Sequence, residues 1–207
     1  WELVREGVLC PGNNEGDLAL PLFFVTAYGN KVRQHSSYSP HDPVAFLRQL
    51  GESVTNPDST VLAYLHEALE CFGRGTVVAS VMMLGIASER VFLLICESLL
   101  ASLQDVTEQT AFAKVLDKNA MKPKLDWVSQ KFQKISQPKR PTNWPEDADI
   151  QLTGIFNFIR CERNEVGHPR ESPPFITRDA AYGYLRLFPS YYATAEQVRD
   201  FLSKNKV

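Results

Sequence analysis

The sequence predicts an all-α protein built as an up-and-down helical bundle. Apolar residues recur at i, i+3, i+4, i+7 along most of the chain, and helix-starting and helix-stopping residues punctuate those runs. Aromatic and β-branched residues gather into a strand-like run in one short segment near the N-terminus.

Taken in order, Leu18 to Tyr28 is short, aromatic and β-branched, carries Pro21 and is followed by Gly29-Asn30. It suits an edge strand or an extended arm lying across the bundle. Asp42-Pro43 opens a helix with proline at its first position, and Pro43 to Val54 presents Val44, Phe46, Leu47 and Leu50 as one apolar face. Asn56-Pro57-Asp58 restarts the chain. Asp58 or Ser59 then caps a helix from about Thr60 to Phe72, striped by Val61, Leu62, Leu65, Ala68, Leu69 and Phe72. Gly73-Arg74-Gly75 makes the turn. Thr76 to about Leu103 is apolar around most of its circumference, the mark of a central, buried helix.

Gln104 to Arg140 reads as an insertion of one or two shorter helices, striped by Ala111, Phe112, Val115 and Leu116, then by Leu125, Trp127, Val128 and Phe132. A proline-rich linker, Gln137 to Pro145, precedes a helix from about Glu146, and the last helix runs from about Arg178 to Leu202. The expected organisation is an N-terminal extension, 1–57, packing on a helical domain, 58–207, whose insertion spans about 104–145.

With 207 residues, 44% of them hydrophobic, the chain can bury a substantial core in one domain. Its formal charge of −2 excludes a protein that coats nucleic acid through net charge, so any grip on RNA must be local. Cys10, Cys71, Cys96 and Cys161 form no CxxC pair; Cys71, Cys96 and Cys161 sit among apolar residues. Buried free thiols in a reducing, cytoplasmic compartment are expected. A zinc site from Cys10 with His35 or His41 lacks ligand spacing, and neither metal nor cofactor is expected. Trp1 to Gly7 carries charges and no apolar run, so it is not read as a secretory signal. Ser88-Glu89-Arg90 interrupts the most apolar helix, which argues against a membrane span there.

The densest chemistry lies at Arg163-Asn164-Glu165-Val166-Gly167-His168. Ile150, Leu152, Ile155, Phe156 and Ile159 form the preceding apolar stripe, while Arg160, Arg163, Asn164 and Gly167 share a neighbouring polar face. Gly167 is a natural helix stop, reinforced by Pro169, Pro173 and Pro174. A permanently charged fork, Arg163, and a group titrating near neutrality, His168, are thereby brought to one helix end. That pairing suits work on a phosphodiester.

This arrangement resembles the HEPN superfamily signature: an arginine, a polar residue, then a histidine after a short spacer, carried here by Arg163, Asn164 and His168. The resemblance extends over about residues 58 to 203 and implies a HEPN-like bundle with the motif between its third and fourth long helices. It further implies a metal-independent ribonuclease of the toxin–antitoxin or phage-defence kind, working as a homodimer, with a cognate antitoxin or larger defence complex as partner. The same superfamily includes modules without chemistry that bind RNA or protein, and that alternative stands beside the enzyme.

In the enzymatic reading, a ribose 2′-hydroxyl attacks the adjacent phosphate. His168 moves the proton, and Arg163 holds the phosphate oxygens and offsets the developing charge. DNA, lacking that hydroxyl, is spared. One histidine cannot readily serve as base and acid on opposite sides of one phosphate, and a two-fold dimer supplies the second. In the structural reading, His168 caps the last carbonyls of its helix. Asn164 either orients His168 or is an ordinary helix-end residue. Glu89, in the most apolar helix, either receives Arg163 or Arg160 or marks a solvated edge.

Lys114 to Arg140 holds eight basic and two acidic residues. Lys122, Lys124, Lys131, Lys134, Lys139 and Arg140, with Arg170, are the candidates for RNA-backbone contact, and the alternative is a solvated face. Trp127, Phe132 and Trp144 either stack on bases or pack in the core.

Overall fold

The computed structural model describes the chain apart from residues 1, 6–7, 15–19, 21, 27–29, 31–38, 137–140, 146–147, 149–151, 153, 155, 158–159, 161–162 and 164–174. The protein is mostly helical, with one small two-stranded sheet among the described residues. A short helix α1 (Glu2–Arg5) leads into β1 (Leu9–Pro11), which pairs antiparallel with β2 (Phe23–Val25), Cys10 opposite Phe24. The strand thus occupies three residues of the Leu18–Tyr28 segment.

The helices begin where the caps place them. α2 (Pro43–Ser53) has proline in its first turn and the Asp42 carboxylate accepting from the Ala45 N–H at 2.9 Å. α3 (Ser59–Gly73) is capped by Asp58, which accepts from Thr60 N and Val61 N, both at 3.0 Å. Each such cap satisfies an otherwise orphaned helix donor and stabilises by about 1 kcal/mol. Gly75 closes the following turn with φ at +78°, a conformation open to glycine at little cost.

α4 (Val77–Ser102) follows, then α5 (Val106–Leu116) and α6 (Met121–Ser136). The last helix, α7 (Arg178–Lys204), is capped by Thr177 and continues through Pro189, whose ring is buried. α4 packs along both α3 and α7, which accounts for its apolar circumference. It is long and apolar enough to cross a membrane by length and composition, yet in this fold Leu84, Val91, Ile95 and Leu99 are fully buried within the protein.

Two hydrogen bonds stitch these three helices together. Tyr191 on α7 donates to the carbonyl of Ser88 on α4 at 3.0 Å, and the Asp58 N–H donates to the Tyr192 hydroxyl at 2.7 Å. Burial pushes the Tyr192 hydroxyl up to about 12.

Between α6 and α7, Ala148, Phe156, Asn157, Arg160 and Arg163 are α-helical, whereas Leu152 and Gly154 have π-helical geometry. That widened stretch was not foreseen by the 3.6-residue spacing. Leu152 and Phe156, both assigned to the apolar stripe, are buried. Phe156 stacks between Phe92 of α4 (4.6 Å, 13°) and Tyr191 of α7 (6.4 Å, 18°), which fixes this segment against both helices.

Candidate functional site

The two adjacent charges of α4 face different neighbours because successive helical residues are turned by about 100°. Arg90 donates to Asp58 at 3.1 Å and to Glu97 at 2.8 Å. Glu89 instead faces the motif segment, so of its two sequence-level alternatives the structure gives the arginine-facing one.

Gly85 sets the approach of that segment. A Cβ at Gly85 would lie 2.5 Å from both Cβ and Cγ of Arg163, so the stem of the arginine occupies the space the glycine leaves. Phe92 meets Phe156 seven residues further along α4, and Phe156 precedes Arg163 by the same interval. The motif segment therefore runs antiparallel to α4 in a single register. From its seat, Arg163 Nη1 lies 3.8 Å from Glu89 Oε1, an ion pair longer than a hydrogen bond. The Arg163 side chain keeps 32% of its surface exposed, against 19% for Glu89, with its Nε buried.

Three cations bear on this one carboxylate. Burial raises the Glu89 carboxyl above its ordinary range, and Arg163, Arg160 and Lys124 pull it back only in part. Arg160 donates to Asn157 at 3.3 Å, and its buried Nε has no acceptor among the described residues. Among the described residues, the charged groups that bear on Glu89 are these three cations. Gly85 carries no charge or polar side chain, so no chemistry marks it in the sequence. Its signal was present: an isolated glycine inside a helix, one turn before an isolated carboxylate, implies close packing at that point.

The described basic residues of 114–140 differ in exposure and pairing. Lys122 is exposed and paired with Asp126 at 3.1 Å, and Lys134 is exposed. Lys131 is held by Glu108 at 2.6 Å with little of its side chain accessible. Lys124 is buried, at 7% exposure, on the inward face of α6 with Leu125, Val128 and Phe132. Of the two readings for the rings, core packing is what the structure has. Trp127 stacks on Phe112 (3.9 Å, 13°), Phe132 is fully buried, and Trp144 stands edge-on to Phe132 and Phe201 at 5.1 Å. Asn164, His168, Arg170, Lys139 and Arg140 lie outside the described residues.

Among the described residues no group of three or more His, Cys, Asp or Glu could hold a metal. His41 packs against Phe72 and Tyr182 at 5.2 and 5.7 Å, Cys10 lies in β1, and His35 is outside the described residues. Burial pushes the Cys96 thiol up to about 12, so it is a core thiol rather than a nucleophile. An open cleft of about 870 Å³ runs between α7 and the Asn143–Pro145 turn, and Arg163 is not among the residues that line it. Its charges are already matched: Arg199 donates to Ser98 and Glu196, and Asp200 accepts from Lys204.

The chain matches no protein-family model, no curated protein and no solved structure.

Proposed function

We propose that this chain is a metal-independent endoribonuclease of the HEPN type, with a HEPN-like bundle, cleaving RNA at a site shared by two copies in a defence or toxin setting. The observation that carries this reading is the seating of Arg163. Its stem rests on Gly85, and its guanidinium lies beside Glu89, on which Arg160 also bears. An arginine fork held by its stem is pre-organised for a phosphate and loses little freedom on binding. Arg163 would grip the phosphate oxygens and His168 would transfer the proton, with Asn164 supporting one of them. Arg160 extends the anion site. Arg170, Lys122, Lys134, Lys139 and Arg140 would steer the RNA backbone.

The second reading is a HEPN-like module that binds RNA or protein without cleaving. What favours it is the same ion pair, which gives Arg163 a partner inside the fold. The two separate on cleavage of labelled total tRNA in EDTA by the wild type, Arg163→Ala and His168→Ala. The enzyme reading expects 2′,3′-cyclic phosphate ends, uncut DNA, and a loss on the order of 100-fold or more in each variant. RNA binding without cleavage in the wild type gives the second reading, and cleavage that survives both substitutions removes this site from the chemistry.

A further inference from the structure

The open cleft between α7 and the Asn143–Pro145 turn measures about 870 Å³, within the range of sites that take small molecules. Ala193, Glu196, Gln197 and Asp200 recur at i, i+3, i+4 and i+7, so one face of α7 forms its wall. Backbone chemistry sets the facing turn. The Trp144 N–H donates to the Pro141 carbonyl at 3.2 Å, and Asn143 takes φ +70° at the turn position that calls for asparagine or glycine. Three hydrogen-bonding groups of the lining are unspent among the described residues. Arg199 uses Nε on Ser98 and Nη1 on Glu196 Oε1, which leaves Arg199 Nη2 and Glu196 Oε2. The third is the indole N–H of Trp144, a residue 4% exposed and packed edge-on to Phe132 and Phe201, which has no acceptor. A buried donor left unpaired costs about 1–3 kcal/mol and calls for a partner.

We propose that this cleft binds a neutral ligand with vicinal hydroxyls, the chemistry shared by a saccharide ring and the ribose of a nucleoside. Charge decides first. Arg199 is matched by Glu196 and Asp200 by Lys204, so the cleft favours neither an anion nor a cation. Besides Trp144, Pro145 and Ala193 are the apolar members of the lining, too little surface for a lipid chain. The remaining lining residues end in hydroxyl, amide, carboxylate or guanidinium groups. A hydroxyl is donor and acceptor at once. Of two adjacent hydroxyls, one can therefore donate to Glu196 Oε2 and the other accept from Arg199 Nη2, on side chains already held together. Gln197 and Asn143 offer amides from the two sides, and a ligand oxygen at Trp144 would supply the missing acceptor. The proposal does not rest on the ribonuclease reading, since Arg163 is not in the lining.

The test is an NMR titration of the full chain that follows the indole N–H resonances of Trp1, Trp127 and Trp144, the last assigned with Trp144→Phe. D-glucose, D-galactose and D-ribose probe the saccharide source and adenosine the nucleoside source, while 2′,3′-dideoxyadenosine lacks the diol. The Trp144 resonance should shift saturably with one source or both, Trp127, stacked on Phe112, should stay in place, and dideoxyadenosine should do nothing. Glu196→Gln should weaken binding about tenfold. Gln197→Ala removes a side chain that makes no hydrogen bond among the described residues, so it should keep the fold and weaken binding roughly threefold. No saturable shift from any diol at tens of millimolar overturns the proposal. So does equal binding of dideoxyadenosine, or an affinity unchanged in both folded variants.

Discussion

Glu89 and Arg90 are neighbours in sequence and belong to two different regions of the molecule. On the Arg90 side, one arginine meets two carboxylates at hydrogen-bonding distance, Asp58 at 3.1 Å and Glu97 at 2.8 Å. Burial pushes Asp58 up, but the Arg90 hydrogen bond and the first amides of α3 outweigh it, and its carboxyl falls below the ordinary range. On the Glu89 side, one carboxylate meets several cations, its ion pair with Arg163 is loose at 3.8 Å, and burial leaves its carboxyl above the ordinary range. The first region joins α3, α4 and α7 and is balanced in its bonding, each carboxylate accepting a hydrogen bond from Arg90. The second is unbalanced in that its ion pair, Arg163 to Glu89, is longer than a hydrogen bond.

The largest effect should come from breaking the unbalanced side. Arg163→Ala should lower RNA cleavage about 100- to 1000-fold with little change in the unfolding midpoint, read by product release and denaturant melts. Gly85→Ala comes next. The added methyl displaces Arg163 and should cost cleavage roughly 100-fold, since about an ångström of misplacement is enough for that, together with about 1–3 kcal/mol of stability from overpacking.

Breaking the balanced side should do the reverse. Asp58→Ala should destabilise by about 1–2 kcal/mol through the lost α3 cap, while cleavage per folded molecule is unchanged. The two carboxylates also oppose each other in pH. Asp58, with its folded value depressed, contributes stability above its unfolded value that is lost as pH falls through the folded one. Glu89, with its folded value raised, contributes stability at low pH that is lost as pH rises through the folded value. Asp58→Asn should therefore flatten the acid loss of stability, and Glu89→Gln, which removes a group that gains stability on acidification, should steepen it. The smallest effect belongs to Lys122→Gln, an exposed i,i+4 pair worth a few tenths of a kcal/mol. Its readout is the salt dependence of RNA binding, whose slope should fall by about one if Lys122 meets a phosphate.

Much of the helical framework was legible because its signals are local. Asp42, Asp58 and Gly75 act through backbone chemistry within a few residues, and α4 declares itself by an apolar circumference. The site was legible only in part. Arg160, Arg163 and Glu89 could be named from the chain, but which arginine Glu89 meets depends on the register of the motif segment on α4. Gly85 and the Phe92–Phe156 stack fix that register, and neither is apparent without the packing partner. Lys124 shows the same limit. In sequence it belongs to a basic run, and only the packing of α6 shows it on the buried face with Leu125, Val128 and Phe132. The aromatic rings of that run were ambiguous for the same reason, since core packing and base stacking call for the same residues.

Glu89→Gln tests the central contrast most directly, with the unfolding midpoint and RNA cleavage or RNA affinity measured on the same preparation at neutral pH. The midpoint should hold or rise, because a buried carboxylate that resists ionisation is removed. The RNA readout should fall at least about tenfold, because Arg163 loses its orienting partner. A midpoint that drops sharply while RNA cleavage and binding stay at wild-type levels would contradict the account and make Glu89 a structural counterpart of Asp58.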